Sequence, residues 1–576
     1  MTNLFTKTLL LLLCCSLTIT AISQQYTKYV VVFKDKNNTP YRLDKPRQYL
    51  SPKSVQRRVR FNLPIDSSDI PVNPSYITQV LAQGTVSYLS QSKWLNQILI
   101  FTTSSSAITA IQTLSFVKSV NAVGPTSTTL TSKNNKFKEK VEPLSTQRQN
   151  ENIITANRYN YGNSFSQVHI HNGEFLHNRG FTGNGITIAV IDAGFYRYKT
   201  TKAFDSTRAH NRFLGEKDFV DFDGSVNEDN DHGELCLSTI AANVPGVMVG
   251  TAPDASFLLL RSENVNTEYP VEEHNWAAAA EYADSTGVDM ISSSLGYMQF
   301  DDPQFNHTYN DIYKNATMVS RAATFAVKKG ILVTNSAGNE GANSWKYIIF
   351  PSDDDSVCAV AATDVNKNIA YFSSYGYPGK VKPNISSVGS GTILYASYGL
   401  TSGSGTSFSN PNINGLIACL WQAFPKVNNM GILQAVYQSA DKYTTPDNRF
   451  GYGTPDMKKA FQILKSAQNK ELYGDEWLVI SDANFSDKLS FTLIGRTDGK
   501  ATIKLLDEHK KLAAKLDLVT ETEEVYDESF NALNKLPAGN YTLEYADAKN
   551  IKTVSLVKYA VPVNQTPGYE RKKAEY

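Results

Sequence analysis

Between residues 162 and 465 five apolar runs recur: ITIAVID, SFLLLRS, VDMISSSLG, GILVTNSAG and VCAVAAT. Each has the length of a strand, and a run this apolar leaves neither face for water. Between them lie helical stretches such as EEHNWAAAAEYADSTG and SRAATFAVKKG, each closed by a glycine. Parallel neighbours need crossover connections, so this alternation predicts a doubly wound parallel sheet with helices on both faces, an α/β fold. Chemistry in such sheets collects at the carboxyl ends of the strands.

Four residues stand at those ends. ITIAVID finishes in Asp192, NDHGELCLSTIAAN opens a helix with His232 at its start, and ILVTNSAGNEG carries Asn339 beside a glycine. GSGTSFSNP, residues 403–411, places Ser407 at the mouth of the apolar helix NINGLIACLWQ. A serine alone is a poor nucleophile and needs a base, an orienter and an oxyanion donor. Singly, Asp192 and His232 also read as helix caps, Asn339 as a turn residue and Ser407 as an N-cap. Together they supply the parts of acyl transfer: a carboxylate that orients an imidazole, an imidazole that takes the serine proton, and an amide that donates to the tetrahedral oxyanion.

These blocks resemble the subtilases, the subtilisin-like serine proteases, across essentially all of 162–465. The order Asp192, His232, Ser407 is that family's order. GTSFSNP resembles its Gly-Thr-Ser-x-Ala/Ser-x-Pro signature, NDHGELCLSTIA its histidine block, SAGNEG its oxyanion block and RFGYGTPDMKKA its domain end. The resemblance implies a serine endopeptidase with Asp192, His232 and Ser407 as catalytic residues and Asn339 as oxyanion donor. SSSLGY resembles the segment that pairs with substrate backbone, which places Ser294, Leu295 and Gly296 along the primary specificity pocket. Two positions depart from the usual pattern: Ala193 replaces a Ser or Thr, and Glu234 a Thr. Glu234 either turns toward the imidazole and raises its pKa, or points to solvent from the first helical turn, where its charge complements the helix dipole.

The flanks gain a meaning from the same resemblance. MTNLFTKTLLLLLCCSLTITAISQQ reads as a signal peptide over residues 1–23, cleaved before Gln24, which predicts a secreted protein. A lipid anchor at Cys14 or Cys15 is the rival, although leucines precede them. Residues 24–125 form a propeptide-like α+β domain, with helices capped at Ser51 and Asn73. It is expected to act as the chain's own intramolecular inhibitor. Residues 126–161, rich in Ser, Lys, Asn and Gln, read as an exposed linker and maturation region. Residues 471–559 alternate like a small β-sandwich, followed by a tail over 560–576. The segment LPAGNYTLEYADAKNIKTVSLVK is similar to the closing hairpin of type IX secretion sorting domains, which would make secretion machinery a partner; a plain accessory sandwich is the other reading.

Composition excludes more than it assigns. Lys+Arg 56 against Asp+Glu 55 gives a net charge of +1, so no global field argues for nucleic acid, and polypeptides are the expected substrates. Cys236, Cys358 and Cys419 lie in apolar stretches and read as buried small hydrophobes, with one disulfide among them left open. No cofactor is required by this chemistry. Structural calcium is a candidate at DFVDFDGSVNEDNDHG, which lacks EF-hand spacing and reads as a solvated acidic loop. His169 and His171 suggest no third ligand, so no metal site is assigned. The contrasting reading of the whole is a catalytically silent subtilase-like binding or adhesion module, to which the 31 tyrosines and the C-terminal sandwich would be suited.

Overall fold

All six residues of the strand Thr187–Asp192 are buried, and so are all six of Cys358–Thr363. Strands with no wet face must lie inside a sheet covered on both sides. The computed structural model describes residues 26–125, 137, 139–144, 157–227 and 230–560. The signal peptide, most of the linker and the tail beyond 560 fall outside them.

Seven strands form one sheet in the order Ile385–Val388, Cys358–Thr363, Leu332–Ser336, Met290–Ser293, Thr187–Asp192, Ser256–Arg261, Phe213–Asp218. Every pairing is parallel. The chain enters at the inner strand Thr187–Asp192, makes the edge strand Phe213–Asp218, fills the gap between them with Ser256–Arg261, then crosses to Met290–Ser293 on the other side. That reversal is a topological switch point, and Asp192 ends one of its two strands. The outer strands Phe213–Asp218 and Ile385–Val388 carry no long apolar run, so the sequence pattern passed over them. The helix Thr406–Ala423 crosses the sheet with asparagines as its fasteners. Asn410 Nδ2 donates to Ser293 O at 3.0 Å, Asn414 Nδ2 to Thr334 Oγ1 at 3.0 Å and Asn412 Nδ2 to Ser387 Oγ at 3.1 Å.

Residues 28–124 hold a four-stranded antiparallel sheet, ordered Ser87–Ser92, Gln97–Phe101, Lys28–Phe33, Val117–Gly124, with the helices Pro52–Arg60, Pro74–Leu81 and Ser105–Gln112. Both expected caps form: Ser51 accepts from Ser54 N and Asn73 from Ser75 N. This domain docks on the helix Val271–Thr286. Glu281 accepts the backbone amides of Lys93 at 2.7 Å and Trp94 at 3.1 Å, while buried Asp284 is paired by Arg57, Arg58 and Lys93. Burial alone would raise the Asp284 carboxyl; Lys93, Arg57 and Arg58 bring it down to about 2. Such a buried network holds its two sides in one register, because removing any single partner strands a charge.

The chain divides into two units at Lys458/Lys459, inside the helix Met457–Tyr473. The second unit has a three-stranded sheet (Leu478–Ile480, Leu489–Ile494, Val525–Phe530) and a five-stranded one that includes the antiparallel hairpin Gly539–Ala546 and Ile551–Lys558. Phe491, Ile503, Leu505, Leu543 and Tyr545 form its core. Among the described residues no helix is long and apolar enough to cross a membrane.

Candidate active site

Asp192 ends its strand fully buried, and its Oδ1 accepts the Ala193 amide at 2.7 Å. The same oxygen lies 2.7 Å from His232 Nδ1, which donates to it. His232 is the first residue of the helix His232–Ala241, its own amide held by Asn230 Oδ1 at 2.8 Å. Gly233 lets that helix start sit on the strand end, since a Cβ there would meet Gly194 O at 2.4 Å and Asp192 Cβ at 2.8 Å. Burial alone would push the imidazole down, but Asp192 and Cys236 together outweigh it and hold His232 well above the ordinary histidine value.

Ser407 is the second residue of the helix Thr406–Ala423, capped by Gly405, so it is not itself the N-cap. Its carbonyl is fixed from below by Ser294 Oγ at 2.8 Å and by the Cys236 thiol at 3.2 Å. Burial pushes that thiol up to about 11, which keeps it protonated. Asn339 Oδ1 accepts Thr406 N and Thr406 Oγ1, each at 2.9 Å, and this fixes which way its Nδ2 points. Of the three expected pocket residues, Ser294 touches the serine turn, Gly296 lies two residues on, and Leu295 turns its side chain into the core.

One occupant was not foreseen. Glu139, from the stretch expected to be an exposed linker, places its Oε1 2.9 Å from Ser407 Oγ, 3.0 Å from Asn339 Nδ2 and 3.9 Å from His232 Nε2. Ser407 therefore donates to Glu139, and His232 Nε2 has no hydrogen-bond partner. Phe137 packs on the imidazole with ring centroids 4.1 Å apart. Val141–Pro143 then adds antiparallel to Gly399–Gly403, with Gly403↔Val141 and Thr401↔Pro143 as partners. Phe137 and residues 139–144 thus form a strap across the site, by edge-strand addition. Gly405 leaves room for it: a Cβ would meet Glu139 Cγ at 2.7 Å. Composition hid this, because a polar stretch ordinarily reads as solvated.

Glu234 faces neither the imidazole nor solvent. It is fully buried, like the rest of its helix, and accepts from the Thr201 hydroxyl. Burial raises its carboxyl from 4.5 to about 7. A raised acid pKa means the folded state holds the extra proton, so this group costs stability as pH rises from about 4.5 through 7. Glu234→Gln should therefore unfold at a higher temperature than the parent at pH 8 and at nearly the same temperature at pH 4, by thermal melts. An equal gap at both pH values would exclude the titration.

Of the acidic-loop candidates, Glu228 and Asp229 lie outside the described residues, while Asp218 and Asp221 have partners in the protein. Asp218 accepts Val220 N at 2.8 Å and pairs with Arg261 at 3.1 Å, and Asp221 pairs with Arg261 at 2.7 Å. His171 is buried between Pro455 O and Ser387 Oγ, and His169 pairs with Glu174. Asp192, His232 and Cys236 offer ligand atoms within 4.8 Å of one another, but Asp192 Oδ1 and His232 Nδ1 are already hydrogen-bonded to each other. Cys236, Cys358 and Cys419 are free and buried.

The subtilase family model matches residues 183–453, and the model of the peptidase S8 propeptide domain of Bacteroidota matches residues 28–140. Subtilisin Savinase of Lederbergia lenta is 30% identical over 289 residues, 49% of this chain and 93% of that protein. Subtilisin BL of the same organism is 29% identical over the same shares. An alkaline protease of Alkalihalobacillus alcalophilus is 30% identical over 49% of this chain and 66% of its own length.

Proposed function

This chain belongs to the subtilase family, and we propose that it is a secreted serine endopeptidase in which Ser407, His232 and Asp192 act as the triad and Asn339 as oxyanion donor. It is a serine-type peptidase that carries its own propeptide, and its substrates are polypeptides. One observation carries the assignment of residues: Ser407 Oγ, Asn339 Nδ2 and His232 Nε2 converge on a single oxygen, Glu139 Oε1. A peptide carbonyl oxygen placed there would receive the Asn339 hydrogen bond as it gains charge. Ser407 Oγ attacks the carbonyl carbon, its proton passes to His232 Nε2, and the buried Asp192 carboxylate holds the imidazolium. The proton then goes to the leaving amine, and water repeats the cycle on the acyl-enzyme.

The strap makes the propeptide an inhibitor as well as a domain. With Glu139 in place, the serine hydroxyl is turned from its base and no carbonyl fits. Hydrolysis at this centre needs no cofactor; a structural calcium elsewhere is compatible with it. The signal-like N-terminus supports export, and the C-terminal hairpin supports a sorting role in type IX secretion.

A serine-directed fluorophosphonate tests the reading. Self-processed full-length protein should be labelled on Ser407, and protein ending at Tyr473 should be labelled too but retained in the periplasm of a type IX-competent host. An absence of label would leave the silent binding module, and normal release of the shortened chain would leave an accessory sandwich.

A further inference from the structure

The strap is held at its two ends by different chemistry. Glu139 has only 7% of its side chain exposed, and a charge out of water needs donors. It has two, Ser407 Oγ at 2.9 Å and Asn339 Nδ2 at 3.0 Å. The fit is set by side-chain length: a Cβ on Gly405 would lie 2.7 Å from Glu139 Cγ and 3.1 Å from its Oε1. Glycine at 405 therefore clears the path of a side chain of this reach. An aspartate would carry its carboxyl carbon where Cγ now lies, one bond short of both donors.

Two residues on, recognition passes to the backbone. Val141 and Pro143 stand opposite Gly403 and Thr401, and Leu144 N donates to Leu400 O at 3.1 Å. Antiparallel partners alternate between hydrogen-bonded and non-hydrogen-bonded pairs, so Pro143 falls where its missing N–H costs no bond. Thr401 Oγ1 donates to Glu142 O at 2.6 Å. The Val141 side chain packs on the buried cluster of Leu235, Cys236, Leu394, Ala396 and Phe408. None of these contacts uses the folded propeptide domain; all of them come from one extended segment.

We propose that Ser407, Asn339 and the gap above Gly405 form a glutamate-reading subsite beside the edge strand Gly399–Gly403, so that extended polypeptides with glutamate two residues ahead of an apolar residue are inhibitors of this peptidase, not substrates. The proposal rests on the catalytic reading above and extends it from the chain's own strap to foreign segments. A carboxylate in the subsite turns the Ser407 hydroxyl away from His232 and takes the Asn339 donor, so no carbonyl beside it is attacked. Glutamine offers an acceptor of the same reach, but a hydrogen bond to an ionised group is roughly twice as strong.

The test uses the self-processed full chain, its competent sites counted by fluorophosphonate label, and an end-blocked peptide with the sequence of residues 137–144, FKEKVEPL. This peptide should competitively inhibit hydrolysis of a glutamate-free fluorogenic peptide and itself stay intact. Glu139→Ala in the peptide should weaken inhibition about 100-fold and make the peptide a substrate, and Glu139→Asp should behave the same way. Glu139→Gln should fall between, at about tenfold. Val141→Asp should also cost roughly tenfold, through loss of its apolar seat. Cleavage of the parent peptide as fast as the Glu139→Ala peptide would overturn the proposal. So would equal inhibition by the parent, Glu139→Ala and Glu139→Asp peptides, or no inhibition by any of them at millimolar concentration. Absence of both label and reporter hydrolysis would instead overturn the catalytic reading on which it stands.

Discussion

Ser407→Ala should lower peptide hydrolysis roughly a millionfold, to the level supported by binding and the oxyanion site alone. The serine oxygen forms the covalent acyl intermediate, and the neighbouring Cys236 thiol, buried and protonated behind the Ser407 carbonyl, cannot replace it. His232→Ala should cost a similar factor, since the hydroxyl then has no acceptor for its proton. The double variant should cost little more than either single one, because the two residues act in the same step. Asn339→Ala should lose about a hundred- to a thousandfold in kcat through one oxyanion hydrogen bond. Steady-state kinetics on a single peptide substrate, with folding checked by circular dichroism, measures all four. Additive losses from Ser407 and His232 would mean that they do not work as a pair.

Glu139→Ala should weaken self-inhibition by roughly 100-fold. Its carboxylate receives two hydrogen bonds, from Ser407 Oγ and Asn339 Nδ2. Bonds to a charged acceptor contribute about 1.5–3 kcal/mol each, and about 1.4 kcal/mol is tenfold in affinity. The measurement is the inhibition constant of residues 26–144 added to processed enzyme. Glu139→Gln keeps an acceptor oxygen of the same shape without the charge, so it should lose about tenfold. An unchanged constant in both variants would place the inhibition in domain docking alone.

The four catalytic candidates were legible because each sits where local pattern changes: a buried strand reaching Asp192, a helix opening at His232, small residues before a buried helix at Ser407. Caps at Ser51 and Asn73 were legible for the same local reason. Other features lacked a local signal. Phe213–Asp218 carries Glu216 and Lys217 on a sheet edge, and Ile385–Val388 is half serine, so neither shows the apolar run that marks an inner strand. Glu234 has two local readings, toward the imidazole or toward solvent, and neither allows for a helix with no wet face. Glu139 meets only residues distant in sequence, Ser407 and Asn339. Spacing along the chain carries nothing about such meetings.

The strap's position along the chain gives latency the logic of an AND gate. Upstream it leads to the propeptide domain, which grips the enzyme through Asp284 and Glu281; downstream it leads directly into the catalytic domain. A cut beyond Leu144 leaves the strap attached to a domain still bound by its buried charges. A cut before Phe137 leaves it as an arm on the enzyme itself. Either remnant keeps Glu139 near the serine at an effective concentration on the order of millimolar, enough for a contact of modest affinity to stay closed. Only the loss of both tethers, or a cut beyond Leu144 together with departure of the propeptide, lets dilution empty the site. A stray single cleavage inside the cell would then release no active protease.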